Sequence, residues 1–82
     1  MDHITYILYS KLLDRYYIGF TSDMTTRLLR HNQKSKGFTG KVNDWEVVYK
    51  EYFFNKEDAY LRERELKSWK NRKKLEELIV GS

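Results

Sequence analysis

Residues 4–21 read ITYILYS, then KLLD, then RYYIGFT, and they predict a β-hairpin. Both seven-residue segments are rich in β-branched and aromatic residues, as is typical of central strands. The four residues between them suit a hairpin loop. An even loop places Tyr6 opposite Gly19 and on the same face as Tyr17, whereas an odd loop would place the two tyrosines on opposite faces. We interpret the loop as one with an even number of residues.

The rest of the chain predicts one more strand and three helices. Capping residues, breaker glycines and hydrophobic periodicity give the boundaries. The first elements are strands Ile4–Ser10 and Arg15–Thr21, a helix from Asp23 to about Asn32 capped by Thr21 or Ser22, and a loop from Gln33 to Asp44. They are followed by a strand Trp45–Phe54 with alternating faces, a helix over about 56–68 capped by the stretch Asn55–Asp58, and a last helix that starts at Ser68 or Asn71 and ends at Gly81. The order ββαβαα predicts an α+β fold in which helices flank a three-stranded antiparallel sheet.

The composition limits the classes of protein to which the chain can belong. Its 82 residues predict a single domain over 1–82. The absence of cysteine excludes a disulfide scaffold, a cysteine-ligated metal and a thiol nucleophile. The N-terminus lacks the features of a signal peptide, and no apolar run approaches the roughly 18 residues of a membrane span. We therefore expect a cytoplasmic protein with no membrane partner.

Basic residues are concentrated in two segments. The chain carries 16 Lys and Arg against 12 Asp and Glu, with seven Tyr, four Phe and two Trp. Residues 24–43 hold five basic residues and no acid, and residues 61–74 hold seven basic residues and two acids. This segregation suits phosphate binding, although a solvated basic face that favours solubility explains it equally well. The predicted nucleic-acid contacts are Arg30, Lys34, Lys36, Lys41, Lys67 and Lys70.

The first helix carries two candidate site residues, Arg27 and His31. They are four residues apart and project from one face, which Met24 and Leu28 would hold against the sheet. The alternative is a surface arginine and a protonated histidine that interacts with the helix dipole.

The second helix carries a carboxylate, Glu63, at the border of its apolar stripe. A carboxylate next to the core needs a partner, such as an arginine, a tyrosine hydroxyl or a cation. A salt bridge within the helix is the simpler alternative, with Arg62, Arg64 or Lys67.

The hairpin offers further candidates. Its tyrosines are more often core residues than chemical groups. Gly19 is a stronger signal, because a glycine in mid-strand usually marks a bulge or a close approach to the backbone.

Taken together, these residues resemble the GIY-YIG endonuclease family over about residues 4 to 79. The second triplet is intact as Tyr17-Ile18-Gly19, whereas the first, Ile4-Thr5-Tyr6, retains only its tyrosine. The other stretches that match the family are Tyr6–Ser10, Asp23 to Asn32 and Arg62-Glu63. Two more, Trp45–Glu51 and Glu65–Trp69, are similar to small single-domain bacterial members.

The resemblance implies hydrolysis of a nucleic-acid phosphodiester with Mg²⁺ or Mn²⁺ as cofactor. DNA is the expected substrate. In the family pattern, Tyr17 corresponds to the general base or the residue that orients the attacking water, and Tyr6 shares its site. Arg27 corresponds to the arginine on the phosphate. His31 would take or relay a proton, and Glu63 matches the glutamate that holds the metal.

The resemblance also implies one further polar residue at the site. Family members often carry a polar residue beyond the metal-binding glutamate, and Asn71 is the nearby match.

Three hypotheses about function remain open. The first is a structure-selective or weakly specific nuclease in DNA repair or mobile-element biology, with a protein partner that could select the substrate. The second is a non-catalytic nucleic-acid-binding module, motivated by the two basic segments. The third is an interaction domain that uses its aromatic surface. A carboxylate beside the core favours catalysis over binding alone.

Overall fold

The computed structural model describes residues 2–33 and 42–81. Its elements are β1 (His3–Ser10), β2 (Arg15–Thr21), α1 (Met24–His31), β3 (Glu46–Phe53), α2 (Lys56–Trp69) and α3 (Arg72–Val80). This order confirms the predicted α+β fold. The predicted loop from Gln33 to Asp44 falls largely on residues 34–41, outside the described residues, and so do the predicted contacts Lys34, Lys36 and Lys41.

The central strand of the antiparallel sheet is β1, and the strand order is β2–β1–β3. The register of the hairpin places Tyr6 opposite Gly19 and Leu8 opposite Tyr17. Because side chains alternate between the two faces of a strand, Tyr6 and Tyr17 lie on the same face. The even loop predicted from the sequence is thus confirmed.

The turn between β1 and β2 is held from two sides. The Asp44 carboxylate accepts a hydrogen bond of 2.7 Å from the Ser10 hydroxyl. The Asp14 carboxylate accepts one of 2.6 Å from the Tyr9 hydroxyl and forms an ion pair of 2.5 Å with Arg72 of α3. These contacts fix the turn relative to β3 and to the last helix.

A β-bulge in β3 breaks the predicted alternation of faces. Val48 is an extra residue between Val47 and Tyr49, which pair with successive residues of β1. Val47 therefore packs on the same side of the sheet as Tyr6, whereas Tyr49 packs on the other side together with Val48. The predicted alternation along Trp45–Phe54 was wrong beyond this point, since periodicity alone does not reveal a bulge.

Each helix is capped at its N-terminus by a side chain that accepts a hydrogen bond from a backbone amide of the first turn. Asp23 caps α1, and Asn55 and Asn71 cap α2 and α3. The predicted cap at Thr21 or Ser22 was wrong. The Thr21 hydroxyl instead hydrogen-bonds to the backbone of Asp23, which leaves the Asp23 carboxylate to cap the helix.

The helices cover opposite faces of the sheet. The cluster on the α1 side is centred on Tyr6, Leu8 and Trp45 and includes Met24 and Leu28. The cluster on the α2–α3 side is centred on Ile7, Leu66 and Leu75. Within the described ranges, no helix has the length and apolar character that a membrane span requires.

Asn32 joins the end of α1 to the start of β3. Its amide nitrogen donates to the Trp45 carbonyl at 3.0 Å, and its carbonyl oxygen accepts from the Trp45 amide at 2.7 Å. The side chain thus satisfies both backbone groups of one residue. Because His31 precedes Asn32, the same pair of hydrogen bonds fixes the end of the helix that carries His31.

Replacing Asn32 by alanine should therefore lower the free energy of unfolding by about 2 kcal/mol, at about 1 kcal/mol for each lost hydrogen bond. Asn32→Asp keeps the side-chain oxygen that accepts a hydrogen bond, so its free energy of unfolding should fall by less. Urea denaturation of the three proteins measures the difference. A loss under about 0.5 kcal/mol in Asn32→Ala would contradict the bridging role.

Candidate active site

The two tyrosines of the hairpin meet over a glycine. A Cβ atom built on Gly19 would lie 2.5 Å from the Tyr6 hydroxyl oxygen and 3.2 Å from the Tyr17 ring. The residue that approaches the backbone at this mid-strand glycine is therefore Tyr6 of the neighbouring strand. Tyr6 is buried, whereas Tyr17 is half-buried and borders an open groove.

α1 brings His31 against both tyrosines. Its Nε2 lies 2.9 Å from the Tyr6 hydroxyl oxygen. The centres of the His31 and Tyr17 rings are 4.6 Å apart. His31 is only 7% exposed and burial lowers its pKa, which argues against the alternative of a protonated histidine that interacts with the helix dipole.

The environment keeps Tyr6 and His31 neutral near pH 7. Burial raises the pKa of Tyr6 above its ordinary value, and the nearby Tyr17 adds to that effect. Burial lowers the pKa of His31, and the charge of Arg27 lowers it further. A neutral tyrosine hydroxyl can donate to Nε2 when the imidazole proton is on Nδ1. Tyr6 and His31 thus form a neutral pair through which a proton can pass.

Arg27 borders the same groove and forms no ion pair with any residue in 2–33 or 42–81. A half-buried guanidinium without an acidic partner suits an anionic ligand. This position agrees with the prediction that Arg27 and His31 share one helix face.

Glu63 enters the groove from α2, the helix on the other face of the sheet. The residue is 9% exposed, and its carboxylate lies 3.5 Å from the Lys67 ammonium. Of the three salt bridges considered from the sequence, the structure has the one to Lys67. Arg62 pairs instead with Glu51 and Glu65.

The groove has a volume of about 390 Å³ and is formed by β1, β2, α1 and α2. It is bordered by five of the predicted site residues, Tyr6, Tyr17, Gly19, Arg27 and Glu63. His31 adjoins it through the hydrogen bond to Tyr6.

Other predicted residues lie elsewhere. Asn71 caps α3 by accepting a hydrogen bond from the Lys74 amide, and it borders a different cavity together with Lys67 and Lys70. Arg30 is exposed on α1.

Lys56 also borders the groove, and the sequence analysis did not single it out. It precedes Glu63 by seven residues, close to two helical turns, so that both side chains lie on nearly the same face of α2. That spacing is the signal that could have identified it.

The donor set fits a weakly held divalent cation. Within the ranges that the structure describes, no three His, Asp or Glu side chains converge on one point. Mg²⁺ retains several waters and is commonly bound by one or two carboxylates together with substrate phosphates. A single buried carboxylate at an open groove, Glu63, matches that mode of binding.

Gly19→Ala should lower the free energy of unfolding by about 1–3 kcal/mol, because the added methyl group would overlap the Tyr6 hydroxyl. Gly81→Ala is the matched control. Gly81 has a φ of −79°, which alanine adopts readily, and an added Cβ would lie 3.2 Å from the Glu77 carbonyl oxygen, so this change should cost less than about 1 kcal/mol. Equal midpoints of thermal unfolding for the two variants would contradict the contact.

The lowered pKa of His31 predicts a loss of stability in acid. The unfolded chain takes up the proton near the ordinary pKa of 6.5, and the folded protein does so only at lower pH. The free energy of unfolding should therefore fall as the pH decreases below about 6.5, until the pKa of the folded protein is reached.

Urea denaturation of wild type and His31→Gln at about pH 8 and about pH 5.5 tests this, since only wild type should show this part of the pH dependence. The same slope in both proteins would show that another group is responsible.

Comparisons with known proteins identify the family of the chain. The sequence matches the family model described as the GIY-YIG catalytic domain over residues 2–76. A UPF0213 protein of Streptococcus pneumoniae is 38% identical over 78 residues, which cover 93% of this chain and 79% of that protein. A UPF0213 protein of Bacillus pumilus is 35% identical over 75 residues, which cover 89% of this chain and 74% of that protein.

The fold is also similar to a solved structure. The solution NMR structure of a UPF0213 protein from Bacillus halodurans aligns with a TM-score of 0.61 and 29% identity, over 98% of this chain and 84% of that one. The GIY-YIG superfamily is a superfamily of nucleases. The chain therefore belongs to the GIY-YIG family, among its small bacterial members known as UPF0213 proteins.

Proposed function

We propose that this protein is an endonuclease that hydrolyses phosphodiester bonds of DNA with Mg²⁺ or Mn²⁺ as cofactor. The observation that carries the proposal is one groove that combines an arginine without an ion pair in the described residues, a neutral tyrosine–histidine pair, a second tyrosine and a buried carboxylate. These are the groups that phosphodiester hydrolysis needs: a cation for the phosphate, a path for the proton of water, and a ligand for a metal.

Arg27 would bind a non-bridging oxygen of the scissile phosphate. Its guanidinium has no protein partner in the described residues, so that binding a phosphate breaks no existing ion pair. Such a contact strengthens as negative charge develops on the phosphoryl oxygens in the transition state.

Tyr17 would orient the attacking water or take its proton. The His31 ring lies beside Tyr17 and is neutral, so it can accept that proton. The hydrogen bond to Tyr6 supplies a second route. A proton received by the Tyr6 hydroxyl oxygen would be balanced by the transfer of that hydroxyl's own proton to Nε2 of His31.

Glu63 would hold the metal, which when bound would neutralise charge on the phosphate and activate a water molecule. Lys67 must then leave the Glu63 carboxylate, and its ammonium is free to move because its side chain is 51% exposed. Competition with this lysine supports weak metal binding without nucleic acid and tighter binding when substrate phosphates add ligands.

A non-catalytic nucleic-acid-binding module remains the second candidate, and one contact favours it. The Glu63–Lys67 ion pair gives the carboxylate a structural partner that needs no metal. The interaction-domain hypothesis has mixed support, since Tyr6 and Trp45 are buried while the Phe54 side chain is 91% exposed.

The biological setting belongs to the same proposal. DNA repair and mobile-element biology are settings in which a structure-selective or weakly specific nuclease acts. A protein partner would then direct the domain to its substrate.

Cleavage of branched, nicked, duplex and single-stranded DNA and RNA tests the proposed activity. Wild type should cleave at least one substrate with Mg²⁺ and none with EDTA. Glu63→Gln should lower the rate by about a hundredfold or more, because it removes the charge of the metal ligand. Glu65→Gln is the control, since it removes a carboxylate that is exposed on the same helix.

Each result separates the candidates. Cleavage that depends on Mg²⁺ and on Glu63 but not on Glu65 supports the nuclease. Salt-dependent binding without cleavage, unchanged or improved in Glu63→Gln, would overturn the nuclease and establish the binding module.

A further inference from the structure

A second and larger cavity, of about 830 Å³, lies beside the candidate active site. One wall is the end of the hairpin and strand β2, and the other is the junction between α2 and α3. Its apolar floor includes Leu66 and Leu75. The charged side chains around it are Asp14, Arg15, Lys67, Lys70 and Arg72.

The charges of this cavity are unbalanced toward positive. Arg72 is bound to the Asp14 carboxylate, so these two charges offset each other. Arg15 and Lys70 are exposed and form no ion pair with any residue of the described ranges. Two free cations on opposite walls of an open cavity suit a polyanion that passes between them.

The cavity and the groove share lining residues or contacts at two points. Tyr17 borders both. Lys67 borders the cavity and is ion-paired with Glu63 of the groove. From Glu63 to Lys70 the helix rises about 10 Å. Measured along the axis of a DNA duplex, where each strand rises about 3.4 Å per nucleotide, that distance corresponds to about three nucleotides.

Lys70 has a backbone conformation that lysine rarely adopts. It is the residue after α2 and has a φ of 47° and a ψ of 35°, in the left-handed region. Glycine or asparagine usually occupies this position at the end of a helix, because other side chains are strained there. A lysine at this position costs stability and places an ammonium group at the cavity, which indicates a function for that group.

We propose that this cavity binds the phosphate backbone of the substrate about three nucleotides from the scissile bond, with Lys70 and Arg15 as its phosphate contacts. The inference rests on the proposed nuclease function and adds to it the path of the strand away from the site. Unbalanced positive charge favours a nucleic-acid strand over a protein segment paired with the free edge of β2.

The first test compares two variants that remove the same charge. Lys70→Gln should weaken binding of a fluorescein-labelled forked DNA about three- to tenfold and reduce the dependence of log affinity on log salt by about one. Lys73→Gln is the matched control, because Lys73 is exposed on α3 and borders another cavity, next to Glu76 and Glu77. The control should bind as wild type does. Equal affinities for the two variants would overturn the proposal.

The second test separates function from stability. Lys70→Gly removes the charge and also relieves the backbone strain, so its midpoint of thermal unfolding should be equal to or higher than that of wild type while its DNA affinity falls. A lower midpoint together with unchanged affinity would assign Lys70 to the fold and overturn the proposal.

A third test uses cleavage of forked DNA that has been shortened from either side of the scissile bond. Lys70→Gln should cleave the full substrate more slowly than wild type and should equal wild type on the substrate that no longer reaches the cavity. If wild type binds and cleaves DNA but Lys70→Gln matches Lys73→Gln on every substrate, only the assignment of the cavity fails, and a protein segment paired with strand β2 becomes the better explanation. If wild type neither binds nor cleaves, the proposed function fails with it.

Discussion

The hydroxyl group of Tyr6 is the point on which the arrangement of the site depends. It lies on the central strand, above a glycine that leaves room for it, and it is hydrogen-bonded to a buried histidine of α1. A slip of one residue in the hairpin would turn Tyr6 toward α2 and separate it from His31. The hairpin register, Gly19 and the packing of α1 therefore form one constraint rather than three independent ones.

The groove draws its charged groups from both sides of the sheet. Arg27 comes from α1 and Glu63 from α2, the two helical layers that the sheet separates. Tyr6 and His31 between them are neutral. Within the described residues, a cation without an ion pair, a carboxylate paired with an exposed lysine and a neutral tyrosine–histidine pair are complementary to an anionic ligand. They are far less complementary to a neutral ligand.

Local rules were enough to predict the order of elements, the hairpin register and the position of Glu63 next to the core. Periodicity, loop length and helix geometry determine these features over a few residues. The bulge at Val48 and the cap at Asp23 were missed, because each depends on a choice between neighbouring residues that hydrophobic pattern does not distinguish. The hydrogen bond between Tyr6 and His31 joins residues 25 positions apart. It depends on tertiary packing, and no local spacing in the sequence predicts it. The roles of these residues in a reaction are not set by geometry and remain predictions.

The paired hydrogen bonds from Asn32 to Trp45 have a consequence for how the chain can vary. They join the two ends of the segment between α1 and β3 independently of what lies between them. The entropy of closing a loop grows slowly with its length, by only about 0.6 kcal/mol for each doubling. A change in the number of residues between Gln33 and Val42 therefore adds little to the entropy of closing this segment, whereas Asp44 has to keep its place to hold the hairpin turn. The two hydrogen bonds thus keep the end of α1 next to Trp45 whatever the length of the segment that joins them.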